Sequence, residues 1–189
     1  METQDQAVIW SSDEANWRTP PTLFKRLDDE FYLDIDLAAS SSDHLCDFWV
    51  GPDHPDSAFR DALTLPWHQW HTSTLYLNPP YSRKLLREIG NPAYDIAEWA
   101  KTCATQAKLG ATIVGLFPYG VQTRWWYEWV RHGEFKAREI RTIPHRVSYL
   151  RPDGSPAGNA GGNSCVIIWQ PPCGYVGDWQ PAERVWDYR

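Results

Sequence analysis

Apolar positions along this chain follow two periods. Ile96, Trp99, Ala100, Cys103, Ala104 and Ala107 recur at the spacing of one helix face, and Gly110 follows where a helix would stop. Thr19-Pro20-Pro21 predicts an earlier helix with proline in its first turn, running to about Asp29 and placing Leu23 and Leu27 on one side. The strand period governs the segments between. Residues 31–37 alternate and break into Ala38-Ala39-Ser40-Ser41-Ser42, small residues that let a ligand approach the backbone. Residues 45–50 predict a second short strand before a loop rich in proline and aspartate at 51–57, and 74–77 predict a third. A buried strand at 111–117 is closed by Pro118, residues 122–132 read as helix, and 135–140 read as strand. Residues 147–150 and 164–169 are expected to be the arms of a hairpin, joined through Arg151-Pro152-Asp153-Gly154 and a Gly/Asn-rich loop at 157–163.

Strands alternating with helices, then a closing hairpin, predict an α/β fold with a mostly parallel sheet and an antiparallel C-terminal edge. A length of 189 residues fits one domain over 1–189, with short recognition loops at about 120–163 and an extended tail at 170–189. The first residues carry no basic region followed by an apolar run, and no stretch reaches the roughly 18 apolar residues of a membrane span, so a cytoplasmic protein without membrane contact is expected. Cys46, Cys103, Cys165 and Cys173 are widely spaced and form no C-x-x-C, and His44 near Cys46 and His68 near His71 read as surface histidines; no metal is expected.

The net charge of −6 is unevenly distributed. Residues 1–80 hold 4 Lys/Arg against 14 Asp/Glu, whereas residues 121–151 hold 7 against 3. Arg124, Arg131, Lys136, Arg138, Arg141, Arg146 and Arg151 interleave with Trp125, Trp126, Tyr127, Trp129 and Tyr149. Such a mixture suits a surface that neutralises phosphates and stacks on bases, or a solvated helix face above an aromatic core.

The strand at 74–77 runs directly into Asn78-Pro79-Pro80-Tyr81. An adenine or amide NH2 is a poor nucleophile because its lone pair is delocalised. A catalyst must draw both N–H bonds into hydrogen bonds that let the nitrogen turn tetrahedral. Asn78 offers one acceptor and the Pro79 carbonyl a second. The prolines fix φ and carry no N–H, so the turn is stiff, while Tyr81 supplies a face for a planar group. This is the chemistry of amino-methyl transfer, and no general base is required if the proton leaves after the methyl arrives. Asp34 and Asp36 at a strand end, and Asp61 before Ala62-Leu63, could accept hydrogen bonds from the amino or ribose groups of a methyl donor.

Taken in order, Asn16-Trp17-Arg18-Thr19-Pro20, Leu23-Phe24, Phe31 through Ser40, Cys46, Asp61-Ala62-Leu63, Trp70, Leu77 through Ser82, Leu116-Phe117-Pro118, Arg124-Trp125-Trp126 and the segment from Asn163 to Trp169 resemble the phage-type, Dam-like DNA N6-adenine methyltransferases. The resemblance spans most of residues 13–170. It implies a single Rossmann-like class I methyltransferase domain, S-adenosylmethionine held by Trp17, Thr19, Pro20, Asp36, Ala38 and Asp61, and an adenine flipped from double-stranded DNA onto Asn78, Pro79, Pro80 and Tyr81. Ser82, Arg124, Trp125 and Arg146 join Tyr81 as expected substrate contacts. The chain departs from the family pattern in lacking a glycine-rich donor loop. The acid expected after the second strand falls on either Asp43 or Asp47. Two other readings stand beside this one: the same turn serves enzymes that methylate RNA bases or protein glutamine, and 12 tryptophans could build a non-catalytic module that stacks on nucleic acid or carbohydrate.

Overall fold

The computed structural model describes residues 17–82, 87, 90–133, 135–157, 162–171 and 180–189. Asn16, Cys173 and much of the tail named above lie outside these residues.

Helix α1 spans Pro21–Phe31, with proline at its first positions where a missing N–H costs nothing. Leu23 and Leu27 are fully buried, and Phe31 continues the same i, i+4 row against that cluster. The helix ends at Tyr32, whose φ of 54° is left-handed and whose N–H donates to the Asp28 carbonyl. Strand β1 therefore covers Leu33–Asp36 and begins two residues later than the alternation predicts.

The remaining strands are β2 (Phe48–Trp49), β3 (Thr74–Leu77), β4 (Thr112–Pro118), β5 (Glu139–Thr142), β6 (Ser164–Trp169) and β7 (Ala182–Val185). They form one sheet in the order β2-β1-β3-β4-β6-β5-β7. Strand β6 is antiparallel to both β4 and β5, and every other pairing is parallel. The antiparallel pair near the C-terminus is therefore β5 with β6. Residues 147–150 are not a strand arm; only Leu150 bridges, to Arg18 and to Pro156.

Helix α2 (Ile96–Lys108) lies in the predicted register and is capped by the Asp95 side chain accepting from Ala97 N–H. Together with α3, which starts as Arg124–Trp126 and continues as a π turn at Tyr127–Arg131, it covers one face of the sheet. Helix α1 covers the other. Strands β4 and β6 show the period directly: Ile113, Phe117, Cys165, Ile167 and Trp169 join the α2 side, and Val114, Leu116, Val166 and Ile168 the α1 side. The register of β1 shifts between Leu33 and Ile35, so these two face opposite layers. The Asp34 carboxylate accepts from Thr74 N–H at 2.8 Å beside that irregularity, which gives it a structural task.

Many of the tryptophans are core. Trp67, Trp99, Trp125, Trp126 and Trp169 are buried. Three of their indole N–H groups donate to backbone carbonyls, Trp67 to Ala62, Trp99 to Ala93 and Trp169 to Trp129. A stacking module built on these indoles is excluded.

The basic stretch also serves the fold. Arg141 is 1 % exposed and donates from both terminal nitrogens to Glu30 at 2.5 and 2.7 Å and from Nε to Glu139 at 2.7 Å. Arg184 of β7 pairs with the same two carboxylates, and Arg131 pairs with Glu183. The end of α1, β5 and the edge strand are thus joined by one charge network. Removing Arg141 as Arg141→Met should destabilise the protein by on the order of 2 kcal/mol in urea unfolding, below the roughly 3–5 kcal/mol of a fully buried pair because Glu30 keeps solvent access. The hydrogen bond from Arg141 holds the Glu30 carboxyl below its ordinary value of 4.5. Its contribution is complete above that value and is lost as pH falls through the lower folded-state value. Glu30→Gln should therefore flatten the acid limb of the stability profile.

Candidate active site

In a sheet ordered β2-β1-β3-β4, the chain leaves β1 outward to β2 and then returns on the other side as β3. The carboxyl ends of β1 and β3 accordingly diverge into a crevice, the place where open α/β sheets bind ligands. A cavity of about 430 Å³ opens there, lined by residues of both strand ends, the segment 17–19 and the loops after β1 and β2. That volume lies within the roughly 300–1,000 Å³ of small-molecule sites.

Asp36 closes β1 and is 4 % exposed. Its two oxygens accept from Ala38 N–H at 3.3 Å and Leu45 N–H at 3.1 Å. Burial raises its carboxyl from 3.8 to about 6, against those two hydrogen bonds, which lower it. Because the folded-state value lies above the unfolded one, ionised Asp36 costs stability at neutral pH, a cost that develops as pH rises from 3.8 to about 6. A ligand that donates to the carboxylate offsets it. Ala38 and Ala39 form the adjoining wall, and Asp61 lies across the cavity, its side chain capping a short 3-10 turn through Leu63 N–H.

At β3 the chain passes from buried Tyr76 and Leu77 to Asn78. The segment 17–19 lies against this strand end. Thr19 Oγ1 and the Tyr76 hydroxyl are 2.6 Å apart, and Asn78 Nδ2 donates to the Trp17 carbonyl at 3.0 Å. A carbonyl only accepts, so the amide nitrogen of Asn78 must face Trp17, and the amide oxygen is left as the acceptor. Among the described residues nothing donates to that oxygen. The segment is itself held: Arg18 and Leu150 exchange both backbone hydrogen bonds, the Trp17 ring lies 5.5 Å from the Tyr149 ring, and the Tyr149 hydroxyl reaches Ser164 Oγ at 3.0 Å.

The expected site residues divide. Trp17, Thr19, Asp36, Ala38, Asp61, Asn78 and Pro80 line the cavity. Pro20 does not; it is buried, and its carbonyl starts α1 by accepting from Phe24 N–H. Pro79 is buried under the turn, and Tyr81 and Ser82 lie outside the cavity wall. Desolvation pushes the Tyr81 hydroxyl up to about 12, so it is neutral at physiological pH. Of the two candidate acids, Asp43 lines the cavity and Asp47 does not.

Trp125, expected as a substrate contact, is 8 % exposed and packs on Phe117 and Trp126. Arg124, beside it, is exposed and pairs with Glu128 at 2.6 Å. Arg146 lines a second cavity of about 310 Å³ with Tyr119, His145 and Asn163.

Sequence reasoning passed over Arg18, Gly51, Arg60, Asn91 and Trp99, all of which line the main cavity. Gly51 is the one a pattern could have shown, through its Gly-Pro pair after β2. A Cβ on Gly51 would lie 1.8 Å from the Ala39 carbonyl oxygen, so only glycine lets these two walls meet. Among the described residues no cluster of three His, Cys, Asp or Glu could hold a metal, and no helix is long and apolar enough to cross a membrane. Gly51→Ala should destabilise the protein by roughly 1–3 kcal/mol, the usual cost of forcing extra volume into a packed contact, read as a lowered urea midpoint.

A stiff Asn-Pro-Pro turn and a buried acid thus stand at adjacent strand ends beside one cavity. No curated protein matches the chain. The family model described as DNA N-6-adenine-methyltransferase (Dam) matches residues 6–176, which contain both strand ends and every residue of the cavity wall. The chain belongs to the Dam family of DNA N-6-adenine methyltransferases.

Proposed function

We propose that this protein transfers the methyl group of S-adenosylmethionine to N6 of an adenine turned out of double-stranded DNA. The observation that carries the proposal is the hydrogen bond from Asn78 Nδ2 to the Trp17 carbonyl, which leaves Asn78 Oδ1 as an acceptor at the cavity. The cavity fits the donor chemically: Asp36 and Asp61 offer acceptors for ribose or amino groups, and Ala38 and Ala39 allow close approach. When bound, the donor supplies an electrophilic methyl on a sulfonium.

Asn78 Oδ1 and the Pro79 carbonyl accept the two N6–H bonds of the adenine. This draws the nitrogen lone pair out of conjugation and aims it along the line of transfer. Forming the N–C bond at the expense of the methyl–sulfur bond, whose electron pair would return to sulfur and leave a neutral thioether, gives the nitrogen positive charge that both acceptors stabilise, and its extra proton then passes to water. Tyr81 offers its ring to the extruded base, and its neutral hydroxyl keeps a negative charge away from the site.

DNA would lie over the carboxyl ends of the strands. Arg124 follows β4, while Arg146 and Arg151 belong to loops at that same end, and all three are exposed. Lys136 and Arg138 precede β5, which runs parallel to β4, and so sit at the opposite end of the sheet. Phosphate neutralisation therefore rests on few residues. A short or relaxed target is the corresponding reading of sequence recognition by loops within 120–163.

Asn78→Ala should lower kcat by about 100-fold or more, the usual effect of losing one preorganised polar contact to developing charge. Calorimetric affinity for S-adenosylhomocysteine should stay close to that of the parent. A matched loss of binding and turnover would instead make Asn78 a structural residue of the wall.

A further inference from the structure

Among the described residues six large apolar side chains are exposed, and two of them stand on the chain leaving β4. Tyr32 and Leu109 lie before β1 and β4, at the far end of the sheet, and Val185 belongs to the edge strand β7. Tyr127 is stacked on His132, their ring centroids 4.5 Å apart. That leaves Tyr119, 38 % exposed, and Val121, 51 % exposed, at the carboxyl ends of the strands.

The segment that carries these two is stiff. Tyr119 N–H donates to the Asn163 carbonyl at 2.8 Å, which extends the pairing of β4 with β6 by one residue. The Tyr119 ring stands edge-on to buried Trp126. The Gly120 carbonyl accepts from Thr123 N–H at 2.9 Å and from Thr123 Oγ1 at 2.6 Å, closing a four-residue turn with Val121 and Gln122 at its tip. A Cβ on Gly120 would lie 2.6 Å from the Trp125 ring, so the turn is seated directly on that indole. Val121 is branched at Cβ and keeps few rotamers. Gln122 is exposed, and among the described residues its amide has no hydrogen-bond partner.

Register places this tip relative to Asn78. Leu77 of β3 is level with Gly115 of β4, so Asn78 lies one residue past that level and Pro118 lies three. At about 3.3 Å per residue and about 4.8 Å between strands, β4 ends roughly 7 Å farther out than Asn78 and one strand to the side. The turn therefore projects beside the activated adenine, toward the DNA.

Resting on the reading that the adenine is turned out of a duplex, we infer that the tip of this turn enters the space the adenine vacates, Val121 filling the gap in the base stack and Gln122 pairing with the thymine left behind. Extrusion costs the adenine its stacking and its hydrogen bonds to thymine. A stiff apolar wedge restores part of the stacking, and a tip that is already ordered loses little freedom on entering. The orphaned thymine presents an N–H donor beside a carbonyl acceptor. A primary amide offers the matching acceptor and donor, as the adenine did.

The test uses the full chain and a duplex that it methylates, made also with an abasic site opposite the target adenine. Gln122→Met keeps the length of the side chain and removes the amide. It should lower the methylation rate of the paired duplex by about tenfold or more, and stay within about twofold of the parent on the abasic-site duplex, where no thymine remains to be paired. With 2-aminopurine at the target position, binding of the parent should raise the fluorescence as that base leaves the stack. Val121→Ala keeps the turn and removes the wedge, and it should cut the rise by about half or more. Calorimetric affinity of both variants for S-adenosylhomocysteine should stay within about twofold of the parent, which reports an intact fold.

Equal losses for Gln122→Met on the two duplexes, or no loss on either, would overturn the pairing role. An undiminished fluorescence rise with Val121→Ala would overturn the wedge. A parent that forms N6-methyladenine without any fluorescence rise would overturn extrusion and this inference together, and a parent that forms no N6-methyladenine in DNA would overturn the proposed function itself.

Discussion

The hydrogen bond between the Asn78 amide and the Trp17 carbonyl joins the two halves of the site, and much of the structure exists to keep it in place. An asparagine at a strand end can turn either its donor or its acceptor to a ligand, and only the acceptor can activate an amino group. The Trp17 carbonyl removes that ambiguity. It can do so only because Arg18 is held in a two-way backbone bridge to Leu150 and Thr19 is bonded to the buried Tyr76 hydroxyl. Leu150 depends in turn on Tyr149, which is anchored to Ser164 at the start of β6. The orientation of one amide is therefore supported by three separate stretches of chain.

Electrostatics divide by depth. The buried arginine, Arg141, is spent on Glu30 and Glu139 and stabilises the junction of α1, β5 and β7. The exposed arginines at the carboxyl ends of the strands are few, and the chain as a whole is acidic at −6. Arg124, Arg146 and Arg151 stand at the carboxyl ends of the strands, whereas Lys136 and Arg138 stand at the other end of the sheet. Asp36 marks the opposite extreme, an acid beside the cavity whose carboxyl burial raises to about 6.

What the sequence revealed was local. The i, i+3, i+4 row of α2, the apolar runs of β4 and β6, and the strand leading into Asn78 all depend on neighbours in the chain; α2, β3 and β6 lie where they were expected, and β4 lies one residue later, at Thr112–Pro118. The misplacements share a cause outside the local pattern. Phe31 satisfies both an alternating strand and the i, i+4 row of α1, and packing with Leu27 decides for the helix. Residues 147–150 alternate like a strand, yet β5 already occupies the place beside β6. The Trp17 to Asn78 contact spans 61 positions and has no signature in either segment.

The most direct test of the account is to incubate the protein with S-adenosylmethionine carrying a labelled methyl group and unmethylated double-stranded DNA, then identify the labelled nucleoside after digestion. The account predicts N6-methyladenine as the product, with no label on cytosine. Label appearing in RNA or on protein glutamine under the same conditions, with none in DNA, would contradict it.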